Sequence, residues 1–319
     1  MESNIRVSIV CNAYNHEKYI KDALDGFVMQ RTSFAYEILI HDDASTDQTA
    51  EIIREYEKKY PELIKPIYQT ENQYSQHNGV IKRLQSERVK GKYVATCEGD
   101  DYWTDPCKLQ KQYDFMEAHP EYTLCGCSTK VVNVLSGKLQ NRCTTDEDRD
   151  VTFEEFLMPR NGRPFPLASF FMRAEIWKTR PSWGFPVGDL PLTYYAAMQG
   201  KVRMLADEMC VYRWFSNGSW TVRSYNDDTR ENYEKRFIEA LERMNRETDY
   251  RFDEPIKRDI IRKKYALNVY SHSFRDIKND EEQYSLFKSK PFIYRVKDYI
   301  HCTSPGLYKT IMKVVSNNR

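Results

Sequence analysis

The sequence predicts an α/β domain on a mostly parallel sheet, followed by an all-helical C-terminal extension. Three observations lead there. Apolar strand-like runs alternate with helix-periodic segments through the first third of the chain. Two of those runs end directly in paired acids, Asp42-Asp43 and Asp100-Asp101. Beyond about Asp227 only helical spacing remains. A length of 319 residues accommodates one large domain with an appendage, or two domains.

The elements follow in order. Arg6-Val-Ser-Ile-Val-Cys11 reads as a short buried strand, closed by the polar turn Asn12-Ala-Tyr-Asn-His16. Ile20, Ala23, Leu24, Phe27 and Val28 then recur at helical spacing. A second strand, Glu37-Ile-Leu-Ile-His41, runs into Asp42-Asp43. Ser45, Thr46 and Asp47 are N-cap residues for a helix through Ile52, Ile53 and Tyr56, which Pro61 stops. Ile64–Tyr68 is a weaker third strand, Gly79–Val89 a helix, and Lys92–Cys97 a fourth strand leading into Glu98-Gly-Asp-Asp101. Tyr113–His119 is helical up to Pro120, Thr123–Val134 is a strand, and Gly137–Asp150 is a charged loop. Pro164–Met172 and Val202–Arg213 read as strands on either side of a helix at Leu190–Met198. The tail holds helices at Tyr233–Met244, Ile256–Tyr270, Tyr294–Ile300 and Leu307–Val315. Alternation of strand and helix implies right-handed crossovers, and so helices on both faces of the sheet.

Composition removes several classes of function. Lys and Arg number 48 against 47 acids, a net charge of +1, which offers no case for nucleic acid as a partner. No apolar run reaches spanning length and residues 1–15 lack a secretory pattern, so a cytoplasmic chain is expected. The eight cysteines are scattered, and Cys125-Gly-Cys127 lacks the spacing of a zinc site, which leaves buried reduced thiols. Neither G-x-G-x-x-G nor G-x-x-x-x-G-K-[ST] occurs, which counts against a dehydrogenase or a P-loop enzyme.

In open α/β sheets ligands bind beyond the carboxyl ends of the strands, so both acidic pairs should face one crevice. Carboxylates crowded on one turn repel each other unless a cation offsets them. A hard divalent cation carrying diphosphate oxygens meets that need at Glu98-Gly-Asp-Asp101. An exposed acidic turn is the alternative reading of the tetrapeptide alone.

Taken in order, Ser8-Ile-Val…Tyr14-Asn15, Ile40-His-Asp-Asp-Ala-Ser-Thr-Asp47 and Gly91-Lys-Tyr-Val…Glu98-Gly-Asp-Asp-Tyr-Trp103 resemble the inverting glycosyltransferases of family 2, which have the GT-A fold. The resemblance is dense over residues 5–125, thinner to 222 and absent beyond about 225. It implies a GT-A domain over residues 1–224, with a nucleotide-binding half 1–125 and an acceptor half 126–224, and a helical extension over 225–319. Further, it implies that Val10, Asn12, Tyr14 and Asp43 contact the base of a nucleoside diphosphate, most commonly uridine. Asp100 would lie by the ribose. Asp101 would ligate Mn²⁺ or Mg²⁺, and Glu98 takes the first position of the acidic motif. Asp189, opening the helix after Gly188, matches the place of the general base, with an ordinary N-cap aspartate as the alternative. Arg213 matches a residue near the diphosphate, although a surface arginine at a strand end is an equal reading. The histidine that often follows is replaced by Ser216 and Asn217. Residues 217–230 are expected to close over the donor.

The activity implied is transfer from a nucleotide sugar to a glycan or lipid-linked saccharide in surface polysaccharide biosynthesis. Rival readings are a sugar-1-phosphate nucleotidyltransferase, which should carry a Gly-rich basic N-terminal loop, and a non-catalytic nucleotide- or carbohydrate-binding protein. A dehalogenase-type phosphatase needs Asp-x-Asp after the first strand, and here the acidic pair follows the second. His16, His41 and His77 are not at metal spacing, and Trp103, Trp183 and Trp220 serve either as a sugar-stacking face or as core. The sequon at Asn217 bears on function only in a secreted chain. Residues 285–319 carry seven Lys/Arg against one Asp. Their apolar positions (Phe292, Ile293, Val296 and Ile300, then Leu307, Ile311, Met312 and Val315) suit peripheral contact with an anionic membrane, or packing on the catalytic domain or a second subunit.

Overall fold

The computed structural model describes residues 5–76, 78–158, 164–216 and 227–317. His77, Trp220, the sequon at Asn217 and most of the expected closing segment 217–230 lie outside the described residues. The chain divides into two compact units, Met1–Pro181 with Asp189–Val222, and Ser182–Gly188 with Arg223–Arg319.

In the first unit β1 (Ile5–Ala13), α1 (Ile20–Val28), β2 (Ala35–Asp42), α2 (Thr49–Lys59), β3 (Ile64–Tyr68), α3 (Val80–Arg88) and β4 (Tyr93–Thr96) follow one another. Next come β5 (Tyr102–Trp103), α4 (Lys108–Ala118), β6 (Tyr122–Asn133), the short strands β7 (Leu139–Cys143) and β8 (Arg149–Asp150), and α5 (Phe153–Leu157). Then follow β9 (Phe171–Arg173), α6 (Ala174–Thr179), α7 (Asp189–Gln199) and β10 (Lys201–Trp214). The strands form one sheet in the order β3-β2-β1-β4-β9-β6-β10-β5, with β7 on β6 and β8 on β10. β1 runs parallel to β2 and β4, β2 to β3, and β6 to β10; the antiparallel partners are short strands. The mostly parallel sheet expected from the alternating pattern is therefore present.

β1 is central because its side chains are apolar on both faces, as parallel packing requires. Val7, Ile9 and Cys11 are fully buried against Ile20, Leu24 and Phe27 of α1. The polar exception, Ser8, donates to Glu37 Oε1 at 2.7 Å and accepts the Gly91 N–H at 2.9 Å. A Cβ on Gly91 would lie 2.6 Å from Ser8 N, so this approach of two backbones demands glycine.

Some local expectations are corrected. Gly137–Asp150 is not simply a loop: β7 and β8 form there by pairing with β6 and β10, although Leu139 is largely exposed and no buried face marks them in sequence. Within Pro164–Met172 only Phe171 onward is strand, because a 3-10 turn at Leu167–Ser169, held by Ser169 Oγ–H to the Pro166 carbonyl at 2.8 Å, precedes it. Trp103 and Trp183 are buried and belong to cores rather than to a stacking face. All eight cysteines are free thiols.

The second unit contains α8 (Asp227–Glu247), α9 (Asp253–Tyr270), α10 (Phe274–Asn279), α11 (Glu281–Ser289), α12 (Phe292–Thr303) and α13 (Pro305–Asn317). Its small core joins Tyr265, Val269, Ile277 and Cys302, with Phe274, Leu286 and Phe287 against it. The helices α10 and α11 fall in a stretch for which sequence periodicity suggested none. Among the described residues no helix is long and apolar enough to cross a membrane.

Candidate active site

β2 leaves β1 on one side and β4 joins it on the other, so the carboxyl ends of β1 and β4 flank the switch point where such sheets bind ligands. The strand ends are tied together by main chain. Cys97 N–H donates to the Val10 carbonyl at 3.2 Å, Gly99 N–H to the Asn12 carbonyl at 2.9 Å, and Asp43 N–H to the Ala13 carbonyl at 2.9 Å. Val10 is buried, Asn12 half-buried, and Tyr14 is 44% exposed. Among the residues expected at a base, Tyr14 thus presents a side chain outward, whereas Val10 backs the site from the sheet.

The loops after β1 and β2 lock into each other. Asn15 N–H donates to Ser45 Oγ at 3.0 Å, Thr46 N–H to Asn15 Oδ1 at 2.8 Å and His16 N–H to Thr49 Oγ1 at 2.8 Å. Asn15 and Ala44 take positive φ angles of 56° and 62° to make this fit. Asp42 accepts the Ser45 hydroxyl at 2.5 Å, while Asp43 accepts the N–H groups of Gln73 at 2.8 Å and Tyr74 at 3.0 Å. Asp43 therefore positions the segment between β3 and α3 by two backbone bonds. The N-cap of α2 is Gln48 rather than Ser45, Thr46 or Asp47, and Asp47, one residue earlier, accepts the Thr49 N–H at 2.9 Å.

The turn Glu98–Asp101 closes on itself through Asp101 N–H to the Glu98 carbonyl at 3.1 Å. A Cβ on Gly99 would come 2.8 Å from His16 Nδ1 and 2.9 Å from Ile20 Cδ1, so a larger residue there would have to displace these side chains for the turn to sit over the loop after β1. Asp101 is buried, and its Oδ1 accepts the Arg213 N–H at 2.8 Å. Burial first and then Asp100 raise its carboxyl well above the ordinary range. Asp100 Oδ2 accepts the hydroxyl of buried Ser216 at 2.6 Å. The Glu98 side chain itself remains exposed, between buried Cys97 and Gly99. Its carboxyl is pushed up to about 8, first by lost hydration, then by repulsion from Asp100 and Asp189.

That last contribution links positions distant in sequence, for Asp189 opens α7 and its charge reaches Glu98. His16 likewise lies between the two acidic pairs. Burial lowers its pKa, while Asp100, Asp47 and Asp42 oppose the shift. Glu98, Asp100, Asp101 and Asp189 are thus near enough for their charges to bear on one another. Arg213 is mostly buried and held from several sides. Its guanidinium donates to the Asp100 carbonyl at 2.9 Å, pairs with Asp22, and lies 4.4 Å from the Tyr102 ring centroid.

Sequence reasoning missed two residues that shape the site. Gln85 is buried and its Nε2 reaches the Cys11 carbonyl at 3.2 Å and Asn12 Oδ1 at 3.3 Å, bracing the end of β1. Its cue was an amide on the inward face of a helix packed on the sheet. Asp22 carried no cue, since Arg213 is 191 residues away.

No cluster of three or more His, Cys, Asp or Glu is placed to hold a metal by itself among the described residues. Asp101 and Glu98 offer oxygen donors alone, and neither finds a side-chain cation to neutralise it fully. That donor chemistry fits a hard divalent ion whose other ligands come from phosphate and water.

Residues 8–176 match the model of a family described as Glycosyl transferase family 2. The uncharacterized protein Rv1520 of Mycobacterium tuberculosis is 38% identical over 237 residues, which is 72% of this chain and 64% of that protein. This chain thus spans less than two thirds of that relative's length. The poly(ribitol-phosphate) beta-N-acetylglucosaminyltransferase TarS of Staphylococcus aureus is 26% identical over 194 residues, 52% of this chain and 32% of TarS. The crystal structure of TarS residues 1–349 in complex with UDP-GlcNAc matches with a TM-score of 0.59 at 17% identity, over 93% of this chain and 79% of that one. The mannosyltransferase PcManGT from Pyrobaculum calidifontis, in complex with GDP-Man and Mn²⁺, matches at 0.57 and 15% identity, over 95% and 87% of the two chains. At such identities these structures speak for the shared fold. With more than half of its length matched by the family model and this sheet beneath the acidic crevice, the chain has the GT-A fold and belongs to glycosyl transferase family 2.

Proposed function

We propose that this protein transfers a sugar, with inversion at the anomeric carbon, from a nucleotide sugar to a hydroxyl of a glycan or lipid-linked saccharide in surface polysaccharide biosynthesis. The observation that carries the reading is the acidic turn at the end of β4, with Asp101 buried and Asp100 bonded to Ser216, on whose Glu98 the charge of Asp189 at the start of α7 also bears. Inversion needs a base on the acceptor side and charge stabilisation on the donor side, and these two acidic groups supply one each. Asp189 takes the acceptor proton. Asn12, Tyr14 and Asp43 border the base, with Val10 behind them, and Asp100 borders the ribose. Arg213 orders the acidic turn from beneath and supports the diphosphate end of the site.

The donor is a UDP-sugar; support comes from family membership and from the TarS fold relative, itself crystallised with UDP-GlcNAc. Asp101, with Glu98 beside it, would hold Mn²⁺ or Mg²⁺, which would supply positive charge against that building on the departing diphosphate. A surface-glycan acceptor is supported by the name of TarS, which acts on poly(ribitol-phosphate). Thermal-shift titration with UDP, GDP, dTDP and CMP, each with and without Mn²⁺, tests the reading. Stabilisation by UDP that requires Mn²⁺ and disappears in Asp101→Ala is expected. No shift with any nucleotide would favour a non-catalytic binding protein, and a GDP-selective shift would replace the assigned base.

A further inference from the structure

A surface without a role in the donor site lies in the second unit. α12 packs by one side only. Cys302 enters the small core with Tyr265 and Val269, and Asp298 accepts the Tyr265 hydroxyl at 2.6 Å and pairs with Lys290 at 2.7 Å. The other side carries Phe292 and Ile293, each 72% exposed, with Val296 at 37%; Tyr299, at its border, is 48% exposed and rests edge-on against Phe274. At about 100° per residue, positions 292, 293 and 296 fall within an arc of about 100°. They form one continuous apolar face rather than scattered exposed residues. Leu307 and Ile311 on α13 add further exposed apolar surface. Proteins seldom leave such a patch in water unless something covers it.

The exposed charges that α12 and α13 themselves bring beside the face have one sign. Arg295 lies 5.8 Å from the Phe292 ring centroid, Lys297 is exposed beside the face, and Lys309 is exposed on α13. Asp298, the one acid among residues 285–319, is turned inward to Tyr265 and Lys290. An apolar strip flanked by the cations of its own helices complements a surface that is apolar below and anionic above. A second copy of this chain would bring the same positive rim against it and be repelled.

We propose that the outward face of α12, extended by α13, docks on an anionic lipid bilayer. The helix lies in the interface plane, with Phe292, Ile293 and Val296 in the acyl boundary and Arg295 and Lys297 among the headgroup phosphates. At the edge of the face Tyr299 presents a ring with a polar tip, the residue type that settles at that boundary. This attachment is independent of the donor site, so its failure would leave nucleotide binding intact, and the reverse also holds.

The test is flotation of the full chain with vesicles of phosphatidylcholine alone and of phosphatidylcholine mixed with phosphatidylglycerol, at low and high salt. Binding to the anionic vesicles, weakened by salt, is expected. The double variant Phe292→Ser/Ile293→Ser should bind at least about 30-fold more weakly. Lys297→Glu should lose about tenfold while the apolar face is intact. Both variants change exposed side chains, and an unaltered far-UV spectrum with retained UDP binding verifies the fold. No binding to anionic vesicles, equal binding to both vesicle types, or unchanged binding of the double variant would overturn the proposal. So would a dimer in sedimentation velocity that the double variant abolishes, because the occupant would then be a second copy.

Discussion

Glu98→Gln isolates the electrostatic condition of the acidic turn. In the folded protein the Glu98 carboxyl is pushed from its ordinary 4.5 to about 8, so the folded state holds a proton that the unfolded chain releases. The stability this confers is fully present below about pH 4.5 and is lost as pH rises towards about 8. Taken whole, such a displacement corresponds to about 5 kcal/mol. Glu98 is exposed to solvent at its surface, however, and screening leaves about 1–2 kcal/mol. Glutamine keeps the shape and removes the charge. The variant should therefore melt about 3–6 °C higher than the wild type at pH 8 in EDTA, and within a degree or so of it at pH 4.5. Calorimetric melts at the two pH values give the comparison directly, and Mn²⁺ should narrow the gap at pH 8 by stabilising the wild type. An unchanged or lower melting temperature at pH 8 would refute the idea that uncompensated carboxylate repulsion strains this turn.

Two further expectations follow from the same site. Asp189→Asn should keep nucleotide binding and lower transfer by about 10³-fold or more, measured as nucleoside diphosphate release with acceptor present; near-normal turnover would place the base elsewhere. Ser216→Ala removes a charge-assisted hydrogen bond of 2.6 Å from buried Asp100 and should lower stability by about 1.5–3 kcal/mol in urea titration, whereas no change in midpoint would mean that water replaces the hydroxyl.

The donor half was legible because its information is local. Apolar runs such as Val7–Cys11 and Tyr93–Cys97 are short, buried on both faces and followed at once by polar turns, so strand, strand end and acidic pair could be read together. The acceptor half was less so. β7 carries no apolar periodicity and exists because β6 offers it an edge, and the 3-10 turn before β9 depends on one serine hydroxyl meeting one proline carbonyl. For Arg213 the sequence left phosphate donor and surface arginine equally open. Its pairing with Asp22 and its N–H bond to Asp101 arise only once β10 lies beside β5.

By itself the sequence determined the strand and helix alternation, the family, and the identity of the carboxylates gathered at the strand ends. Those follow from residue type and spacing over a few turns of chain. Only the tertiary structure decided that the charge of Asp189 bears on Glu98, that Asp43 is engaged by the amides of Gln73 and Tyr74, and that one side of α12 is covered while Phe292, Ile293 and Val296 are left bare. The reason is physical. Coulomb repulsion, desolvation and burial depend on distances through space, and no spacing along a chain specifies the distance between residues brought together by the fold.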